Sequence, residues 1–237
     1  MNYVIHRSES RGHVDHGWLK AAHSFSFASY YNPEKMGFGA LRVLNDDIIA
    51  PGHGFGLHPH ENMEIVTIVL EGKLLHKDDM GNKEYIRPGE IQVMSAGTGI
   101  IHSEYNGSSN EQCKLLQIWV LPREHSVKPR YMQKAFDKED KYNKILQVVS
   151  GARSDEDLWI NQDAQFSLCL LEKGKSVDYN FNMDGKRGVY LIVIDGEIGF
   201  EKETLSKRDA LAIQDVSKLS LTAHSKSNFL IIEVPMA

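Results

Sequence analysis

Apolar and polar residues alternate with a period of two along most of this chain, in short runs separated by glycine, proline or asparagine. This is the period of an extended strand with one buried face, because successive side chains point to opposite sides. The run 65–70 is rich in β-branched residues and ends at Glu71-Gly72, which is typical of a strand followed by a turn. Similar short runs, each followed by a turn, occupy residues 25–28, 41–44, 74–77, 84–86, 91–94, 100–104 and 115–121. This punctuation predicts an all-β barrel or sandwich.

The pattern changes from Pro122 to about Asn143, where charged residues are dense and the strand period is absent. We interpret residues 126–143 as a linker that contains a short helix. The predicted organisation is therefore an N-terminal barrel over residues 1–125 and a second barrel over residues 144–237.

The second half repeats the first in outline. The sequence Leu-Glu-Gly-Lys-Leu at 70–74 has a counterpart in Ile-Asp-Gly-Glu-Ile at 194–198. Gly52 precedes His58 and His60 by the same spacing at which Gly174 precedes Asn180 and Asn182. The matching order of elements indicates an internal duplication whose second copy lacks the histidines.

The composition is that of an ordinary soluble globular protein, with 41% hydrophobic and 25% charged residues in 237. A net charge of −5 without a Lys/Arg cluster argues against nucleic acid as a partner, and no apolar run is long enough to span a membrane. The N-terminus lacks the apolar core of a secretory signal. Cys113 and Cys169 lie in apolar runs and are predicted to be buried thiols in a reducing compartment, so we expect a cytoplasmic protein.

Histidine is concentrated in the first 125 residues, where ten of the eleven occur. His58 and His60 are two apart after a glycine-rich segment, so one strand face would carry both. Glu64 has the same parity and would join them if that strand runs unbroken. His102 and Glu104 form a second pair with the same spacing. Two such strands can converge inside a barrel, where inward side chains point to one axis.

Three imidazoles and one carboxylate suit Fe, Mn, Co, Ni, Cu or Zn, and they disfavour Ca or Mg. A single histidine in a strand is more often a surface or hydrogen-bonded residue than a ligand, but two pairs on one face favour a metal site. We expect His53 near the mouth of a pocket, and His76 and His125 to face solvent.

Specific motifs then identify a family. The segment 52–64, Gly-x5-His-x-His-x3-Glu, resembles the first cupin motif, and the segment 89–106 resembles a divergent second one. His58-Pro59-His60, the segment 97–104, the segment 16–19 and the segment 25–31 resemble the pirin family more closely. The second half is similar to the ligand-free cupin of the bacterial two-cupin branch. This resemblance implies a bicupin, that is, two tandem jelly-roll-like cupin barrels.

The resemblance also implies a ligand set of His58, His60, His102 and Glu104, with Glu64 as a reserve ligand or an outer partner of the site. It implies one divalent first-row transition metal, with iron expected first and Ni, Co, Mn, Cu or Zn as alternatives. The activity it implies is that of a quercetin 2,3-dioxygenase, which opens a flavonol with O2 and releases carbon monoxide. Glu104 would then also take the proton of the 3-hydroxyl group.

Four apolar residues near the ligands are candidates for the wall of an aromatic-binding pocket, although core packing explains them equally well: Phe55, Leu57, Met63 and Ile118. The rival function is a non-catalytic metalloprotein that acts as a redox-responsive regulatory partner of another protein. A cupin-type sugar isomerase is a weaker alternative, because no basic cluster near the motifs would bind a phosphate.

Overall fold

The computed structural model describes residues 2–181 and 186–236, and almost all of its regular structure is β-strand. The first half forms β1 (Asn2–His6), β2 (Gly12–Asp15), β3 (Leu19–His23), β4 (Leu41–Ile49), β5 (Gly54–His60), β6 (Glu64–Glu71), β7 (Leu74–Asp78), β8 (Lys83–Ile86), β9 (Glu90–Ser95), β10 (Ile100–Asn106), β11 (Cys113–Val120) and β12 (Arg130–Ala135). The second half forms β13 (Leu146–Val149), β14 (Gln165–Leu171), β15 (Ser176–Asn180), β16 (Arg187–Asp195), β17 (Glu197–Phe200), β18 (Glu203–Ser206), β19 (Ala210–Gln214), β20 (Lys218–Ala223) and β21 (Ser227–Pro235). Two 3-10 helices cover Ser8–Ser10 and Lys138–Lys141. No helix in the described ranges has the length and apolar character that a membrane crossing requires.

The first barrel consists of two sheets. A seven-stranded sheet has the order β12-β9-β6-β11-β4-β3-β2, and a four-stranded sheet has the order β5-β10-β7-β8. The period of two decides what each face contacts. On β6, Ile65 and Val69 belong to the packing inside the barrel, whereas Val66 and Ile68 belong to a core on the opposite face of the sheet. β6 is therefore buried on both faces.

The second barrel repeats this topology. Its sheets have the orders β1-β19-β16-β21-β14-β13 and β15-β20-β17-β18, so that β14 to β21 occupy the places of β4 to β11. The predicted duplication and the two-barrel all-β fold are thus confirmed. Apolar side chains such as Leu219, Leu221 and Phe229 fill the interior of this barrel. Asn180 is exposed at the end of β15, and Asn182 lies outside the described residues.

The two barrels share a hydrophobic core between their large sheets. Val66 and Ile118 of the first barrel belong to the same buried cluster as Tyr190, Ile192 and Leu230 of the second. The exposed fraction of each of these side chains is 0%. Burial of this apolar surface holds the barrels together through the hydrophobic effect.

Two strands depart from the predicted division at residues 125 and 143. β1 pairs with β19 of the second barrel, from Asn2 opposite Gln214 to His6 opposite Ala210. β12 lies inside the predicted linker and pairs with β9 of the first barrel, and the short helix of the linker is the 3-10 turn Lys138–Lys141. Both strands cover sheet edges whose backbone groups would otherwise lack hydrogen-bond partners within the sheet.

Candidate metal centre

His58 and His60 lie at the C-terminal end of β5, in the four-stranded sheet. Gly52 turns the chain into this strand with a φ of +70°, which favours glycine. At Gly54, a Cβ atom would lie 2.3 Å from the backbone oxygen of Glu104, so only glycine lets β5 approach β10 so closely. The ring centroids of His58 and His60 are 4.9 Å apart. Nδ1 of His58 lies 2.8 Å from the carbonyl oxygen of Gly56, to which it donates, and this leaves Nε2 with a free lone pair.

β10 brings His102 to the same point. It pairs with β5 so that His102 lies opposite His58, and the pairing register shifts between His102 and Glu104. The His102 ring is 4.4 Å from the His58 ring and 4.8 Å from the His60 ring, measured between centroids. One nitrogen from each of these three histidines falls within 4.8 Å of the other two. The structure thus brings these three side chains together, and their assignment as metal ligands stays a prediction.

The chemistry of this cluster fits a transition-metal ion. Nε2 of His102 and Oε1 of Glu104 are buried without a hydrogen-bond partner among the described residues, as expected for atoms that serve as metal ligands. Burial, followed by the repulsion of neighbouring histidines, lowers the pKa of His60 to about 4 and shifts the pKa of His102 further down. The imidazoles of His60 and His102 are therefore neutral at pH 7, which is the form that binds a metal.

Glu104 lies on the inner face of β10, with 3% of its surface exposed. Its Oε2 accepts a hydrogen bond of 2.8 Å from Nε2 of Gln117, whose Oε1 accepts one of 2.8 Å from the hydroxyl of Thr67. Ligand atoms of Glu104, His102 and His76 lie within 4.8 Å of one another. Burial raises the pKa of Glu104 to about 7, against the opposing effect of the Gln117 hydrogen bond. That Glu104 is the fourth ligand stays a prediction.

A cavity of about 500 Å³ opens beside the histidines, a size typical of small-molecule sites. Phe55 and Leu57, two of the four proposed wall residues, line it. The remaining lining residues are Trp18, Phe27, Asn45, Asp47, Gly54, Gly56, His58, His60, Glu104, Gln117 and Trp119. The cavity thus combines an aromatic wall with a small polar group at the candidate ligands.

Comparison with known proteins places this site in a family. A family model described as Pirin matches residues 4–120, and a model described as the quercetinase C-terminal cupin domain matches residues 147–234. A protein of Escherichia coli (strain K12) named quercetin 2,3-dioxygenase is 46% identical over 232 residues, which cover 98% of each chain. The chain belongs to the pirin family.

Other pirin-family proteins are similar over nearly the full length. A protein of Caulobacter vibrioides named pirin-like protein is 41% identical and covers 94% of this chain and 95% of its own. The crystal structure of the bacterial pirin YhhW of E. coli in complex with nickel(II) superposes with a TM-score of 0.93 at 42% identity, and each chain is covered completely. That relative binds nickel, and the histidine cluster described above supports a divalent transition metal in this pirin-family chain.

The structure corrects the sequence analysis at Glu64. Its Oε2 accepts hydrogen bonds of 2.6 Å from Oγ of Ser95 and 3.0 Å from the backbone N–H of Asn161, which belongs to the second half of the chain. Glu64 follows a break between β5 and β6, where Asn62 has a φ of +49°, so the parity argument from His60 does not extend to it. Glu64 lies on the face of β6 that meets the second barrel and is not part of the ligand cluster.

Two of the proposed wall residues also lie elsewhere. Met63 packs against a small cluster around Ile65, and Ile118 is fully buried in the core shared by the barrels. The aromatic wall is instead completed by Trp18 and Trp119, which the sequence analysis did not assign to the site. These residues are distant in sequence from the metal motifs, and no local pattern connected them to the cavity.

His76 is the largest departure among the histidines. It was expected to face solvent, but its exposed fraction is 0%, and its ring is 5.3 Å from that of His102. It alternates inward with Leu74 on β7, and this parity was the signal that would have placed it inside. His53 stacks on Trp18, a lining residue of the cavity, at 6.4 Å between centroids, and His125 is exposed.

Proposed function

We propose that this protein is a metal-dependent quercetin 2,3-dioxygenase, which cleaves the flavonol ring with O2 and releases carbon monoxide. The observation that carries the proposal is an aromatic-walled cavity of about 500 Å³ lined by His58, His60 and the buried Glu104. His102 converges with the two histidines beside this cavity. The name of the E. coli relative, at 46% identity over nearly the full length, supports it.

The proposed ligands are His58, His60, His102 and Glu104, and iron is the metal expected first, with nickel, cobalt, manganese, copper or zinc as alternatives. A divalent ion held by them would act as a Lewis acid and lower the pKa of a hydroxyl group that it binds. The donor set does not distinguish these metals, since they share a preference for imidazole and carboxylate ligands.

Glu104 is the proposed proton acceptor for the 3-hydroxyl group of the flavonol. Burial raises the pKa of Glu104 to about 7 in the metal-free protein, and a bound cation would favour the carboxylate, the form that accepts a proton. A carboxylate offers about four lone-pair positions, and Gln117 occupies one on Oε2. Glu104 therefore retains the capacity both to bind a metal and to accept a proton. Thr67 and Gln117 keep the carboxylate in a fixed orientation through their hydrogen bonds.

The cavity wall accounts for an aromatic substrate. Trp18 and Phe55 meet edge to face at 5.2 Å, and Trp119 packs edge to face on His60 at 4.9 Å. These flat apolar surfaces favour a planar ring system and exclude water from its reacting carbons. Leu57 is 76% exposed, so the wall is open to solvent on that side and gives a substrate a route of entry.

The decisive experiment adds quercetin to metal-loaded protein without oxygen and then admits air. Loss of the flavonol absorbance together with carbon monoxide release is expected. Absence of turnover with Fe, Ni, Co, Mn and Cu would refute the enzyme and favour the redox-responsive binding partner.

A matched pair of variants tests the base. We expect Glu104→Gln to abolish turnover more completely than it reduces metal content, since the amide cannot accept the proton. Glu61→Gln is the control, because it makes the same change at an exposed carboxylate. It should leave turnover and metal content unchanged. Equal loss of turnover and metal in Glu104→Gln would restrict Glu104 to the role of a ligand.

A further inference from the structure

His76 and Asp78 form a buried pair next to the histidine cluster, and the proposed reaction gives them no role. Both side chains have an exposed fraction of 0%. Nε2 of His76 lies 3.0 Å from Oδ2 of Asp78, and Nδ1 of His76 lies 3.5 Å from Nδ1 of His102. Asp78, His76 and His102 are therefore connected by successive polar contacts. The far nitrogen of this series, Nε2 of His102, has no partner among the described residues.

The turn between β7 and β8 holds Asp78 rigidly. The backbone N–H groups of Met80 and Asn82 donate to Oδ1 at 3.1 and 2.9 Å, and Nδ2 of Asn82 donates to Oδ2 at 2.8 Å. The carboxylate thus has three donors from its own hairpin before it meets His76. Its orientation is set by the backbone of the turn, independently of the metal cluster.

The positions of the protons follow from these contacts. A carboxylate only accepts hydrogen bonds, so Nε2 of His76 carries the hydrogen. An imidazole that carries its single hydrogen on Nε2 has a lone pair on Nδ1, so Nδ1 of His76 is an acceptor. Two nitrogens 3.5 Å apart cannot both carry a hydrogen on the line between them, so Nδ1 of His102 is the donor. Nε2 of His102 is then left with a free lone pair.

We infer that the Asp78–His76 pair is a positioning device that holds His102 in the tautomer whose Nε2 faces the metal cluster. Histidine ligands commonly donate their second N–H to a fixed acceptor, and His58 does so toward the carbonyl of Gly56. Here the acceptor is a second histidine, itself fixed by a carboxylate. The inference depends on the metal site of the proposed function and is independent of the dioxygenase reaction.

A second possible cation position would require different hydrogen positions on His76 and His102. Ligand atoms of His76, His102 and Glu104 also lie within 4.8 Å of one another, so these residues offer a second position for a cation. In that arrangement Nδ1 of both histidines would carry a lone pair in the metal-free protein. The position of one hydrogen on His102 therefore separates the two arrangements.

The test uses the full chain with 15N-labelled histidine, freed of metal with a chelator at pH 7. Long-range 1H–15N spectra identify which ring nitrogen carries a hydrogen, and His102→Gln assigns the signals of His102. We expect a protonated Nδ1 and an unprotonated Nε2 on His102. A protonated Nε2, or two unprotonated Nδ1 atoms on His76 and His102, would overturn the inference.

Asp78→Asn tests whether Asp78 sets the tautomer of His102 through His76. The backbone N–H groups of Met80 and Asn82 should keep the amide oxygen in the place of Oδ1, so the NH2 group takes the place of Oδ2. There it donates to Nε2 of His76, and the side-chain amide of Asn82 turns its oxygen toward it. Both rings then change tautomer, and Nε2 of His102 gains a hydrogen. We expect this switch in the spectra and a Kd for nickel(II), measured by calorimetry, that is about 10- to 100-fold weaker.

Asp79→Asn is the matched control, because it removes the same charge from an exposed neighbouring residue. It should leave the His102 spectrum and the nickel Kd unchanged. His76→Phe keeps a ring in the cavity but removes the acceptor, and it should weaken nickel binding to a similar extent. An Asp78→Asn protein with the tautomer and nickel Kd of the parent would refute the inference, whether or not the parent turns over quercetin.

Discussion

Asp47 gives the sharpest prediction on stability, because it is a carboxyl group buried in the cavity without full hydrogen bonding. It lies on β4 with 4% of its surface exposed, and its Oδ1 has no partner among the described residues. Burial raises its pKa to about 8, and the negative charges of Asp46 and Glu104 add to this shift. The native state therefore holds a proton that the unfolded chain releases near pH 4.

The sign and size of the effect follow from proton linkage. The contribution of Asp47 to stability is fully present below about pH 4 and is lost as the pH rises toward 8, because only the unfolded state ionises freely. One unit of pKa corresponds to about 1.4 kcal/mol, so at pH 7 the loss is at most about 4 kcal/mol. This is a large fraction of the roughly 5–15 kcal/mol by which domains are stable.

Asp47→Asn should remove this dependence, because asparagine is neutral at every pH. We expect the free energy of unfolding of the variant, relative to the parent, to rise by about 1.4 kcal/mol per pH unit between pH 5 and 7. Urea titrations of both metal-free proteins measure the difference, and titrating groups that do not interact with Asp47 cancel in it. Asp79→Asn, at an exposed position, should give a difference that does not change with pH. The same flat result for Asp47→Asn would refute the reasoning.

Three further predictions concern packing and metal binding. Glu64→Ala leaves two buried donors without an acceptor, so it should lower the melting temperature. The nickel Kd measured by calorimetry should stay unchanged, and a weaker Kd would show that Glu64 contributes to the metal site. Ile118→Ala should cost about 2–5 kcal/mol in urea unfolding and affect both barrels in one transition, whereas Leu57→Ala, at an exposed position, should cost less than about 0.5 kcal/mol. Nickel at 100 times its Kd should stabilise the parent by about 2.7 kcal/mol, and His58→Ala should lose this gain while Asn180→Ala keeps it.

The strands and the histidine pairs were predictable because their information is local. A period of two places His58 with His60, and His102 with Glu104, whatever the rest of the chain does. The same rule failed for Glu64 because the chain leaves the strand at Asn62, and parity has no meaning across such a break. His76 was predicted to face solvent because it lies beside a turn, although its parity with Leu74 on β7 indicates an inward side chain.

Other features depend on contacts between distant parts of the chain. Asp47 and Trp18 reach the cavity because β4 and β3 lie in the large sheet that faces the small one, and their own sequences contain no metal motif. β1 lies on the edge of the second barrel, more than 200 residues away in sequence from its partner Gln214. Pairing at this separation follows from the closed fold and leaves no signal in a local window.

The two barrels show how one framework supports opposite interiors. On β10 the inward side chains include His102 and Glu104, whereas the corresponding β20 directs Leu219 and Leu221 inward. Buried imidazoles and carboxyls stabilise a barrel less than packed apolar side chains, because their desolvation is only partly compensated. The core shared by the large sheets connects the polar barrel to the apolar one. The second barrel can therefore offset the cost of a reactive interior in the first, and this is a physical reason for keeping a copy whose described interior is apolar.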